Sequence, residues 1–269
     1  AVNDLGVSKI ISSKIEHHAV LHTLNDLESE LVEVKYVNTT KEGKIDYNHL
    51  KELLIEDDKV KLVTLMYINN EIGTILDLEF VGNLCHENNT FFHTDAVQGV
   101  GHFEIDLEKL KIDFLSAAAH KFHGPKGIGF SYVKKNIGIK SFILGGSQER
   151  GLRAGTEALP NIVGMDRALS IAYNKLKSER QQIQSLKDYF ILSLLEIFPK
   201  AYFNGCCNDK KNSTYTILNI AFPISAEKSP LLDFQLDLKG IACSKGSACQ
   251  SGSNEGSHVL EEVQEKKYK

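Results

Sequence analysis

No apolar run in this chain approaches the ~20 residues that a membrane-crossing helix needs, and the N-terminus carries no signal-peptide pattern. Neither sign of charge dominates. The 31 basic and 35 acidic residues give a formal charge of -4, which excludes the basic footprint of a nucleic-acid or anionic-membrane binder. The five cysteines, Cys85, Cys206, Cys207, Cys243 and Cys249, form no CxxC pair. An odd set without paired spacing argues against a disulfide framework and for a reducing compartment. Ligand-pair spacing for zinc is also missing, despite ten histidines, so no metal site is expected. Internal repeats, low-complexity tracts and the phosphate-loop pattern GxxxxGK[ST] are absent as well.

What is there reads as an ordinary globular chain: with 42% hydrophobic and 25% charged residues, its 269 residues suffice for a large domain with a smaller one attached. The opening AVNDLGVSKIIS looks like the end of a helix, a glycine stop and a strand, so a preceding segment is expected to be missing. Strands are predicted at 9–12, 31–37, 60–66, 90–94, 113–117 and 128–133, with helices at 19–27, 47–56 and 78–87 between several of them. Short strands alternating with amphipathic helices predict an α/β fold with a mainly parallel sheet covered on both faces. Residues 128–132 are the candidate for an antiparallel edge. From about Ile162 to Phe198 the pattern is one long helix, and the boundary is placed within it: a large domain over 1–175 and a smaller α+β domain over 176–269. Later strands are expected at 215–222 and 240–243, with Cys243 packed in the second and Cys206–Cys207 in a polar, variable turn.

Three segments carry chemistry. HTDAVQ, residues 93–98, follows an apolar strand, so Asp95 falls at a strand's carboxyl end, where open α/β sheets bind ligands. A carboxylate there can hold a cation, a ribose hydroxyl or a protonated pyridine nitrogen; the alternative is a turn or helix-capping aspartate. SAAAHKFHGPKGIG, residues 116–129, sets Lys121 just after another strand, among small residues and a Gly/Pro-rich turn. A lysine shielded from water is a candidate imine-forming nucleophile, against the alternative of a solvated hairpin lysine. Finally, from Ser244 to Ser257 eight of fourteen residues are Gly or Ser, and Cys249 sits among them. A thiol in a polar, mobile stretch invites a reactive reading, against that of an incidental cysteine.

Together with SKIEHHAVL, NNEIGT, QERGLRAGT, NIVGM and GSACQSG, these segments run in order along nearly the whole chain. In this the sequence resembles the cysteine desulfurases of the iron–sulfur assembly and nitrogenase type, within the class V aminotransferase group. The resemblance implies the three-layer α/β/α fold of type I pyridoxal-phosphate enzymes. It implies pyridoxal 5'-phosphate as cofactor, bound covalently by Lys121, with Asp95 on the pyridinium nitrogen. Gln98 and Asn70 match side chains that hydrogen-bond the phenolic oxygen, His17 the imidazole stacked on the ring, and His120 a phosphate ligand. Thr156 matches a phosphate contact supplied by the other subunit, which implies a homodimer. L-cysteine would be the substrate, L-alanine the product, and a persulfide on Cys249 the sulfur carrier to an acceptor such as an iron–sulfur scaffold, in the cytoplasm.

The sequence departs from that pattern in three places. Ala118 stands where the family carries a phosphate-binding serine, a change worth about 1–3 kcal/mol in cofactor binding. The upstream Gly-Ala-Thr phosphate loop does not appear, and no arginine follows Arg180 to hold a substrate carboxylate. An incomplete piece of a longer protein is the expectation. Competing functions are a selenocysteine lyase or another class V enzyme using the same lysine and aspartate, and a non-catalytic paralogue that docks partners.

Overall fold

A computed structural model describes residues 1–29, 32–222, 224, 231–244 and 256–264 of the chain. They fall into two compact units. The first comprises Ala1–Asn38, Ile45–Ile68 and Leu76–Arg180; the second comprises Thr39–Lys44, Asn69–Ile75 and Gln181–Lys269. The expected boundary at 175/176 and the one observed after Arg180 both lie within the same long helix. What a linear reading does not anticipate is that two short segments from early in the chain belong to the second unit.

The first unit opens with helix α1 (Val2–Leu5), which Gly6 stops in the left-handed conformation at φ 68° before strand β1 (Lys9–Ser13). It continues through α2 (His18–Ser29), β2 (Glu33–Val37), α3 (Tyr47–Ile55), β3 (Lys61–Thr64), α4 (Leu78–Glu87), β4 (Phe91–Asp95), β5 (Phe114–Ala118) and β6 (Gly129–Val133). Side chains of Asp46 and Asp77 cap α3 and α4 by accepting from backbone N–H groups of the first turn. The six strands form one sheet in the order β2-β1-β3-β4-β5-β6, parallel except for β6, which pairs antiparallel with β5 at the edge, as the sequence suggests.

Successive residues of a strand point to opposite faces, and here both faces are apolar. Ile10, Leu62 and Phe91 pack with α1 and α2, through Val2, Leu5, Val20 and Leu24. Their neighbours Ile11, Val63 and Phe92 pack on the other face, with Leu50, Val81 and Ala172. Helices therefore cover both sides, which is the three-layer arrangement. Lys9 is fully buried in β1, where its amine meets Asp57 at 3.0 Å and Glu56; that explains a lysine in a buried strand.

Gly129 opens β6 opposite Ala118, and a Cβ there would run into the Ala117 carbonyl oxygen. Gly129→Ala should accordingly destabilise the chain by about 1–3 kcal/mol, read from urea unfolding. A cost near zero would mean that the β5–β6 pairing can shift to accept a methyl group.

Helix α5 (Leu159–Ile197) contains the division between the units. In the second unit Leu194, Phe203 and Cys207 form a small core beside the two-stranded pair β7 (Tyr202–Phe203) and β8 (Ile220–Ala221). Helices α6 (Leu232–Leu238) and α7 (His258–Val263) follow.

Three expectations are corrected here. The strand expected over 215–222 is reduced to the two residues of β8. Residues 241–244 form no strand, because α6 occupies the preceding stretch and Gly240 ends it with φ 74°, and Cys243 is exposed. Cys206 and Cys207 lie in a turn but are buried, with Cys207 Sγ held by Asn219.

Candidate active site

In the first unit, His17, Asp95, Gln98, His120 and Lys121 each hang on the end of a strand or on the turn after it. β1 ends at Ser13, and the following turn carries Glu16 and His17 into the start of α2. β4 ends on Asp95 itself, and the turn beyond it carries Gln98. β5 ends at Ala118 and passes directly into a 3₁₀ turn, Ala119–Phe122, bearing His120 and Lys121. The three strands are parallel, so these ends share one edge of the sheet. The chain goes from β1 to β2 on one side and then to β3 on the other. The order thus reverses between β1 and β3, where α/β sheets open a crevice for ligands.

Asp95 is partly buried, and one carboxylate oxygen accepts from Val97 N–H at 2.9 Å. Among the described residues its second oxygen has no hydrogen-bond donor. Burial raises its pKa, while the charges of His17 and Lys121 pull it back down. Below the edge, His93 bridges the strands: Nδ1 lies 2.7 Å from Thr64 Oγ1 and Nε2 lies 3.1 Å from Ser116 Oγ. Burial pushes its pKa down to about 4, so it works as a neutral brace between β3, β4 and β5.

Lys121 is half-buried. Its carbonyl accepts from His102 Nε2 at 3.0 Å, and no hydrogen bond or ion pair among the described residues holds its amine. The turn beneath it is fixed by Phe122, buried in the core, and ends at His123 with φ 65°. His17 Nδ1 accepts from Ala19 N–H at 3.1 Å, which leaves the proton of the neutral ring on Nε2. His120 is exposed. Ala118 closes β5 opposite Gly129 and presents a methyl group where a hydroxyl was expected of the family.

The remaining candidates come from other parts of the chain. Thr156 is exposed in the stretch before α5. Asn70 belongs to the second unit, where its buried Oδ1 has no hydrogen-bond partner among the described residues. Cys249 lies outside the described residues.

Two residues at the edge escaped the sequence reading. His93 opens the HTDAVQ segment, but only cross-strand neighbours reveal it as a brace. Glu16 is 1% exposed, with Oε1 accepting from Ser13 Oγ at 2.8 Å and from Met66 N–H at 3.1 Å. Burial raises its pKa to about 8; those two hydrogen bonds lower it and the charge of Asp95 raises it further. A carboxyl in the turn that follows a predicted strand was the available signal.

Residues 6–264 match the family described as aminotransferase class-V. The cysteine desulfurase IscS of Clostridium botulinum (strain Hall) is 41% identical over 251 residues, 93% of this chain and 62% of the relative. A solved structure described as a NifS-like protein superposes with a TM-score of 0.84 at 36% identity, covering 96% of this chain and 65% of that one. Another, described as SspA in complex with cysteine, gives a TM-score of 0.79 at 31% identity, covering 98% and 71%. The chain therefore spans about 62% of the length of the curated relative.

Proposed function

The chain belongs to the aminotransferase class-V family, and we propose that it works as a pyridoxal-phosphate-dependent cysteine desulfurase. The observation that carries this reading is the pairing at the sheet edge: among the described residues, the Lys121 amine, in the turn after β5, has no hydrogen-bond partner and the Asp95 carboxylate, at the end of the neighbouring β4, has one oxygen unsatisfied. That pair fits a cofactor with an aldehyde at one end of its ring and a basic nitrogen at the other. When bound, pyridoxal phosphate withdraws electrons from a substrate's α-carbon.

The chain's own residues supply the rest. Lys121 holds the cofactor covalently and moves protons at Nζ. Asp95 holds the protonated ring nitrogen, favoured in its ionised form by His17 and Lys121. His17 covers the ring; Gln98 and Asn70 donate to the phenolic oxygen. His120 binds phosphate, and Thr156 does so for the other subunit of a homodimer. Cys249 takes the sulfur, so that L-cysteine and the Cys249 thiol give L-alanine and a Cys249 persulfide, which then supplies an acceptor such as an iron–sulfur scaffold. The roles of Asn70, Thr156 and Cys249 rest on motif matches alone. Cys85, Cys206, Cys207 and Cys243 are all free, which suits a reducing cytoplasmic setting. Among the described residues no helix is long and apolar enough to cross a membrane.

Incubation with pyridoxal phosphate followed by borohydride should place a stable pyridoxyl group on Lys121, read by peptide mass mapping. A label on a different lysine, or none, defeats the reading.

A further inference from the structure

Glu16 has no part in the chemistry above, yet it occupies the point where the sheet order reverses. Its Oε1 joins the end of β1, through Ser13 Oγ, to the backbone just past β3, through Met66 N–H. The next residue is His17, so this bridge fixes the turn that presents the imidazole. Several ionisable groups lie on the neighbouring strands and turns. Asp95 ends β4 and acts on Glu16 by its charge. His17, on the same turn, and Lys121, after β5, both act on Asp95. His93 on β4 is neutral, and burial pushes the Tyr67 phenol beyond β3 up to about 12, so it too stays uncharged. Two carboxyls thus share one edge, and the Lys121 charge favours ionisation of Asp95. One proton is best kept on the other.

We propose that Glu16 is a positioning residue of the cofactor site: a buried carboxylic acid that pins the His17 turn to the backbone beyond β3 and keeps the proton, leaving Asp95 as the anion. This rests on the reading of Asp95 and Lys121 as a cofactor-binding pair.

The sign of the pH effect follows from linkage. A carboxyl raised on folding contributes stability that is complete below its unfolded value of 4.5 and lost as pH climbs through about 8. Glu16→Gln keeps the oxygen that accepts from Ser13 and Met66 but never ionises. Without cofactor, the melting temperatures of the two chains should lie close together at pH 5, and Gln should gain on the order of 5–10 °C over Glu by pH 9.

Cofactor affinity, followed by absorbance titration at pH 7, supplies a second readout. Glu16→Gln should stay within about twofold of the unsubstituted chain, while Glu16→Ala, which releases the turn, should weaken binding about tenfold or more. A melting-temperature gap that is the same at pH 5 and pH 9 overturns the proposal, as does full affinity in Glu16→Ala. Failure of the underlying reading is recognisable separately: it appears as a missing borohydride label on Lys121 of the unsubstituted chain, and it leaves the cofactor-free melting comparison intact.

Discussion

Lys121→Ala should abolish borohydride trapping of pyridoxal phosphate and lower alanine release from L-cysteine by roughly 10²–10⁴-fold, with the fold intact. The fold survives because the amine is not part of its hydrogen-bond network. The contact that anchors residue 121 runs from His102 Nε2 to the main-chain carbonyl, which alanine retains, and the turn is held by the neighbouring Phe122. What is lost is chemistry. Lys121→Arg separates charge from nucleophilicity: the guanidinium still favours ionised Asp95 but is too basic to form an imine. Arginine should therefore be as inactive as alanine. If Lys121→Ala kept turnover within about tenfold, the lysine would be an electrostatic neighbour and the proposed activity would need another amine.

The same variant has a consequence for Asp95 that requires no substrate. Its pKa lies above the ordinary carboxyl value, so it contributes stability at low pH that fades as the pH climbs through its folded value. Lys121 is one of two charges that lower that value. Without the ammonium, the fading should move to higher pH, visible as a shift in the cofactor-free stability profile of Lys121→Ala.

Period and punctuation made most of the first unit legible in advance. Strands from β1 to β6 were each found within a few residues because their apolar runs are short and bounded by turn residues. The candidate antiparallel edge at 128–132 corresponds to β6, which pairs antiparallel with β5. Asp95 and Lys121 stood out because both follow predicted strands, and in a parallel sheet that fact alone assigns them to one edge. The rest depended on contacts that periodicity does not encode. Thr39–Lys44 and Asn69–Ile75 join the second unit by tertiary packing, for which a linear pattern carries no mark. Cys206 and Cys207 looked polar by their neighbours in sequence, yet Cys207 packs with Leu194 and Phe203. The strand expected at 240–243 failed because Ile241 and Cys243 follow a helix stopped at Gly240, and a short apolar run cannot by itself be told from a helix's trailing end. Glu16 and His93 were hidden for another reason: their partners are distant in sequence, Thr64 on β3, Met66 just past it and Ser116 on β5.

Phe122→Ala is expected to destabilise the chain by about 3–5 kcal/mol, the usual cost of emptying a fully buried aromatic site. Phe122 is 1% exposed and belongs to the main core with Leu115, Val100 and Ala172. Its importance for the site comes from what it joins. Gly101, in the turn after β4, has φ 81°, and a Cβ there would lie 2.6 Å from the Phe122 Cβ. The turn after Asp95 and the turn bearing Lys121 are therefore packed on each other through this ring. Removing it should loosen both turns at once, and because small misplacements of reacting groups are costly, cofactor affinity should fall about tenfold or more at temperatures where the variant is still folded. Phe122→Leu, which refills most of the space, should recover the greater part of both losses. Unfolding by urea gives the stability, and absorbance titration of the folded fraction gives the affinity. A variant that lost its stability but bound the cofactor as before would show that the His102 hydrogen bond to the Lys121 carbonyl is sufficient to hold the amine in place.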